Sequence, residues 1–285
     1  MDWQLPHNLN STIARTLSYS DKFNYPLTPK ELYFWQIGTR YPKSKFTNWS
    51  HQKLNYSFLP GREKIVSLRI GRLNYSRQKW QKINRLVPFF KSIPFLQAIF
   101  ITGSLSMNNS PEFDDIDIMV ISLPGTVWIV RPLIILFLTL LGIRRDPGIT
   151  LHSSPAVSDK ICDNIYLDTA NLVINYYPGD YSKNLYLSHE ILQAKCVFDK
   201  GGVHRRFIQS NSWVKKYLPV AYGETLKSLQ STHYPAALRN QVATIILFVI
   251  NSAFFIFQYL YMRPRITREV IGLGFAFFHP RKAVI

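Results

Sequence analysis

The sequence of 285 residues predicts an α+β fold. Three observations predict it. Short apolar, β-prone segments crowd between residues 95 and 175, as "LQAIFITG", "IDIMVIS" and "DNIYLD". Runs with helical spacing and capping signals stand on either side of them. Hydrophobic residues make up 47% and aromatics 14%, which supports a real buried core and excludes a disordered chain.

Taken in order, residues 1–61 read as a small helical unit. "STIARTLSYSDKF" places Ile13, Leu17 and Phe23 at helical spacing. In "YPLTPKELYFWQIG", Thr28 can cap a helix, Pro29 suits the first helical position, Glu31 completes a capping box and Gly38 is a stop. "LNYSFLPGREKIVSLR" reads as a hairpin turning at Pro60-Gly61. Helix, helix and hairpin together are the layout of a winged helix. The other open reading is a helical cap with no DNA-binding role.

Residues 62–94 read as a basic connecting helix, with nine Lys or Arg and one acid between Arg62 and Lys91. Ile65, Leu68, Leu73, Trp80 and Ile83 form an irregular apolar stripe. The remaining positive charges are either a solvated face or a surface that attracts RNA or DNA phosphate. Residues 95–178 hold the strands, with a helical run, "VWIVRPLIILFLTLLGIRR", between the second and third. Residues 179–285 read as helices.

Lys plus Arg total 34 against 17 Asp plus Glu, a formal net charge of +17. That excess points to an anionic partner: nucleic acid, nucleotide phosphate or a membrane surface. Two cysteines, Cys162 and Cys196, exclude a disulfide framework, and no zinc-ligand spacing surrounds them. The N-terminus carries no readable secretory signal, so a cytoplasmic address is expected. The apolar run 242–262 is long enough to span a bilayer. Asn251 and Gln258 interrupt it, which favours a buried helix, with membrane attachment as the alternative. Arg131, inside the apolar run after the second strand, requires a partner.

The chemistry concentrates between Gly103 and Asp117. A buried strand ends at Gly103-Ser104, a turn whose backbone can approach a ligand closely. Asp115 and Asp117 then alternate in "DIDIMV", so both point to one face while Ile116 and Ile118 enter the core. Two adjacent carboxylates repel each other unless they share a hard divalent cation.

This arrangement resembles the signature of the nucleotidyltransferase superfamily that includes DNA polymerase β: Gly-Ser, a gap of about ten residues, then Asp, apolar, Asp, apolar. Thr102 stands where an apolar residue is usual. More loosely, "YPLTPKE", "WIVRP", "LYLSHEI" and "FFHP" are similar to bacterial proteins grouped only as nucleotidyltransferase-like. The resemblance implies a nucleotidyltransferase-type mixed sheet. It implies that Gly103 and Ser104 cradle the phosphates of a nucleoside triphosphate (NTP), and that Asp115 and Asp117 hold two Mg²⁺ ions. A third carboxylate completes the site, and Asp159, Asp163 and Asp168 are the candidates. Asp163 is chosen because it lies inside its strand, although a shift of one residue would put Asn164 there instead. The implied activity moves a nucleoside monophosphate from an NTP to an acceptor hydroxyl. The alternative is a regulator that binds nucleotide or DNA without catalysis. Asp114 and Glu112 read as loop neighbours, and His189, Glu190 and His279 as packing residues.

Overall fold

Every residue of β3, Leu96–Ile101, and of β4, Ile116–Ser122, is buried, as expected of continuous apolar strands covered on both faces. The computed structural model describes residues 9–43, 52–146, 148–149, 154–229, 241–267 and 269–278. The molecule is α+β. Its six-stranded mixed sheet has the order β6-β3-β4-β5-β8-β7, with β5 at Ile161–Asp168, β6 at Lys195–Asp199, β7 at Val270–Gly272 and β8 at Phe275–Phe277. β3 is antiparallel to β4 and to β6, whereas β4 and β5 are parallel. A parallel pair needs a crossover, and helix α5, Val127–Leu140, supplies it. Short helix α4, Gly103–Ser106, follows β3.

Side-chain alternation divides the core between the two faces. Ala98, Phe100, Met119 and Ile121 face one cluster. Ile99, Ile101, Ile118 and Val120 face the other, against Trp128, Val130, Ile134 and Leu138 of α5. On the first face lie helices α1, Leu9–Asp21, and α2, Pro29–Phe34, with α6, Tyr181–Gln193, α7, Val203–Ser210, and α8, Pro219–Ser228. The helices of the N-terminal unit share the main core: Ile13, Leu17, Leu32, Trp35 and Ile37 belong to the same cluster as Phe100 and Phe207, while Phe58 packs with Ile65 and Val66 at the start of the next helix.

The capping box forms as expected: Thr28 Oγ1 accepts from Glu31 N and Glu31 Oε2 accepts from Thr28 N. A hairpin is present, β1 at Gln52–Lys53 and β2 at Tyr56–Ser57, but it turns at Leu54-Asn55, both at positive φ (51° and 62°), and not at Pro60-Gly61. Helix α3, Lys64–Phe90, follows it. The C-terminal region is not all helical. The helix expected to run through "QAKCVF" stops at Gln193, and β6 pairs with β3 on the sheet edge. β7 and β8 form a second hairpin that extends the sheet beyond β5. Helix α9, Gln241–Met262, packs outside α5. It is not the buried helix expected, since Asn251 is its one buried residue. His279 lies outside the described residues.

Candidate active site

Gly103 is held at φ 64°, the left-handed region that favours glycine, where β3 turns into α4. One residue earlier, the Thr102 N–H donates to the Asp117 carbonyl at 3.0 Å, so the turn sits directly against the start of β4. Asp115 and Asp117 both point to the face that carries Met119 and Ile121. Ligand atoms of Asp115, Asp117 and Cys162 lie within 4.8 Å of one another. The expected convergence of the two carboxylates beside the glycine turn is therefore present.

The partners of these carboxylates were not legible in the sequence. Arg145 Nη1 donates to Asp115 Oδ2 at 2.5 Å, and both residues are buried. Asn164 Nδ2 donates to Asp117 Oδ1 at 2.8 Å, while Asn164 Oδ1 is buried with no hydrogen-bond partner. Burial and then the Asp117 and Asp115 charges push the Cys162 thiol well above its ordinary pKa, so it stays protonated beside them.

Asp163 does not join the pair. In the parallel register Asp117 lies opposite Cys162 and Ile118 opposite Asp163, which puts Asp163 on the far side of the sheet. There it takes Arg144 Nε at 2.9 Å and the Tyr166 hydroxyl at 3.0 Å. The register then skips from Asp163 to Ile165, leaving Asn164 as an unpaired extra residue. Asn164, two residues after Cys162, shares the face of Cys162 and Asp117, and the bulge brings Ile165 to that face as well. The other two acids are engaged elsewhere. Asp159 binds Lys79 and Lys82, and Asp168 accepts from the backbone N–H groups of Gly125 and Ala170.

Gly103 and Ser104 also border a cavity of about 260 Å³ on the same side of the sheet. Its wall is aromatic: the Tyr19 and His189 rings stack at 3.8 Å and Trp35 stacks on His189 at 5.4 Å. Burial holds His189 at about 4, below its ordinary 6.5, and its Nδ1 hydrogen-bonds to the Leu185 carbonyl, so the ring is a neutral packing group at pH 7. Asp114 lines this cavity too and accepts from Ser104 Oγ at 2.5 Å. It is more than the loop neighbour the sequence suggested. Asp115 and Asp117 do not line the cavity, so the Gly103 turn lies where the cavity and the carboxylates meet.

The basic helix α3 binds inward along much of its length. Arg69 pairs with Glu31 at 2.6 Å and donates to the Pro26 carbonyl. Arg72 donates to Asn109 at 3.2 Å. Lys79 Nζ donates to the Glu112 and Asp114 carbonyls at 3.2 and 2.6 Å and to Asp159 at 2.8 Å. Arg62, just before the helix, binds Asp21. Of the nine basic residues between Arg62 and Lys91, four stand on the exposed surface with no ion pair to an acid among the described residues: Lys64, Arg77, Arg85 and Lys91. Arg131 has the structural partner it required: Nη1 donates to Gln258 at 2.8 Å and its guanidinium lies over the Phe278 ring.

Comparison of the chain with protein-family models, with curated proteins and with solved structures found no match.

Proposed function

We propose that the chain is a nucleotidyltransferase that binds an NTP at the Gly103 turn and transfers its nucleoside monophosphate to an acceptor hydroxyl. The observation that carries this reading is the shared direction of Asp115 and Asp117 at the start of β4, hydrogen-bonded through backbone to the strand end that makes the turn. Gly103 and Ser104 would take the phosphates, and the adjoining aromatic cavity is wide enough for a planar group of the substrate. In the transfer, the acceptor oxygen bonds to the α-phosphorus, the bond from that phosphorus to pyrophosphate breaks, and the acceptor proton leaves to solvent.

The donor set fits one hard cation. Asp115 and Asp117 offer oxygen ligands of the kind Mg²⁺ takes. Asn164, whose buried Oδ1 has no partner, is bonded to Asp117, and Arg145 would have to release Asp115 Oδ2 to the ion. The protonated Cys162 offers no such ligand. A cation held there would neutralise triphosphate charge. A second ion served by a third carboxylate does not fit, because an amide stands at that position. The same observation favours a second reading, in which nucleotide is bound without transfer. RNA or DNA as acceptor, approached along the exposed basic residues of α3, belongs to the proposal as one acceptor class.

Incubation with each α-labelled NTP and Mg²⁺, with and without total RNA, tests both readings. Label transfer by the wild type, abolished in Asp117→Asn, is expected of the enzyme. Saturable NTP binding with no transfer, converted to transfer by Asn164→Asp, supports the binding reading. Absence of both binding and transfer with all NTPs sinks the two together.

A further inference from the structure

Helix α9 has 22 residues and no charged side chain, and its length of about 33 Å would cross a bilayer. Only 11% of its most apolar window is buried inside the protein. The buried and half-buried positions Leu247, Asn251, Phe255, Gln258 and Met262 repeat every three or four residues and make one stripe. That stripe also holds the helix's central polar groups. Asn251 Oδ1 accepts from Trp128 N and Gln258 Nε2 donates to the Trp128 carbonyl, both at 2.8 Å, and Gln258 Oε1 accepts from Arg131. The rest of the circumference is apolar and open to solvent, with Val249 at 60% exposed and Phe257 at 75%.

Topology decides how such a helix can meet lipid. The chain before it includes α8, whose Ala221 belongs to the core cluster on one face of the sheet. The chain after it forms β7 and β8, and β8 pairs with β5 in the same sheet. A single crossing would put α8 and β8 on opposite sides of a membrane, which the sheet forbids. α9 can therefore lie on a bilayer but cannot span one.

The occupant is also indicated. A partner helix covers a seam of about two positions in seven, whereas the apolar surface of α9 extends around most of its circumference. A fluid that conforms to the helix covers such a surface; a rigid protein face does not. At its C-terminal end stand Tyr259 and Tyr261, then exposed Arg263 and Arg265, the residue types that sit at lipid headgroups. The net charge of +17 complements anionic lipid. We propose that α9 lies in the plane of an anionic membrane surface, with its outer face among the lipid chains and its polar stripe on α5.

Co-flotation of the chain with sealed phosphatidylcholine vesicles, with and without phosphatidylserine, tests this. The wild type is expected to float with the phosphatidylserine vesicles, less so at high salt. Phe254→Glu/Phe257→Glu should lose binding by roughly tenfold or more while its melting temperature without lipid stays unchanged. In a Cys162→Ser/Cys196→Ser background, Gln241→Cys and Arg265→Cys, exposed positions at the two ends of the helix and off the centre of its outer face, should both react with an impermeant thiol reagent added outside the vesicles. Three results overturn the proposal: no flotation of the wild type, protection of one of the two cysteines, or a lipid-free dimer that the double glutamate variant dissociates without changing flotation.

Discussion

Helices α3 and α9 are the two longest among the described residues, at 27 and 22 residues, and each inverts what its composition suggests. The basic helix turns charge inward: Arg69 is 5% exposed and Lys79 1%. The apolar helix turns its polar groups inward and its hydrocarbon outward. The reason is the same in both. A polar side chain enters the interior when acceptors already wait there, because an unpaired buried group is expensive and a paired one is tolerated. Lys79 finds two carbonyls and a carboxylate; Asn251 finds the Trp128 N–H and the Leu273 carbonyl. Apolar groups are decided by the space left over. The sheet already has α5 on that side, so α9 meets the body along one stripe only.

Breaking the inward charge of α3 should produce the largest effect. Lys79→Met leaves the Glu112 and Asp114 carbonyls without their donor and Asp159 with Lys82 alone, and a loss of about 3 kcal/mol is expected in urea unfolding. The carbonyls belong to Glu112 and Asp114, immediately before Asp115, so the variant should also weaken whatever Asp115 binds. The pair has a pH signature. Burial raises the Asp159 pKa, but hydrogen bonds from Lys79 and Lys82, with their charges, outweigh it and hold the group below its ordinary 3.8. A depressed carboxylate contributes stability above its unfolded pKa and loses it as pH falls through the folded value. The wild type should therefore lose stability below about pH 3.8, and Lys79→Met should show a shallower loss there.

How much of this was legible follows from the length over which each signal runs. β4 was read at its correct bounds because seven apolar-rich residues carry the pattern, and the box at Thr28 and Glu31 because its chemistry is local. β7 and β8 escaped because three residues each are too few for a period, and they exist as strands only through pairing with β5. The carboxylate pair was legible, since alternation within one strand needs no partner. Its surroundings were not. Asn164 shares the face of Cys162 by simple alternation, but only the pairing of β5 with β4 shows that this face, and not that of Asp163, is the one opposite Asp117. In the sequence Arg145 is only the second of two arginines that close the apolar run before β5. Nothing local shows that the chain after α5 returns it to Asp115, 30 positions away in sequence.

Next in size is the polar stripe of α9. Asn251→Leu keeps the branched shape and removes both hydrogen bonds, leaving the buried Trp128 N–H and the Leu273 carbonyl unpaired. A loss of about 2 kcal/mol is expected, with α9 loosened from α5. Hydrogen exchange at the Trp128 amide should accelerate more than that of amides in β3. Equal protection in variant and wild type would mean that α9 is held by its apolar stripe alone.

The smallest effects sharpen the comparison most, because they concern the outward faces. Arg85→Ala on α3 and Phe257→Ser on α9 both alter exposed side chains, so each should change stability in water by no more than about 0.5 kcal/mol. The Phe257 change is informative because the same substitution in a core costs about 3–5 kcal/mol. A near-zero value establishes that the aromatic residues of α9 do not hold the fold. A loss of several kcal/mol would show that its outer face is covered by protein in solution, and the contrast between the two helices would then be one of charge alone.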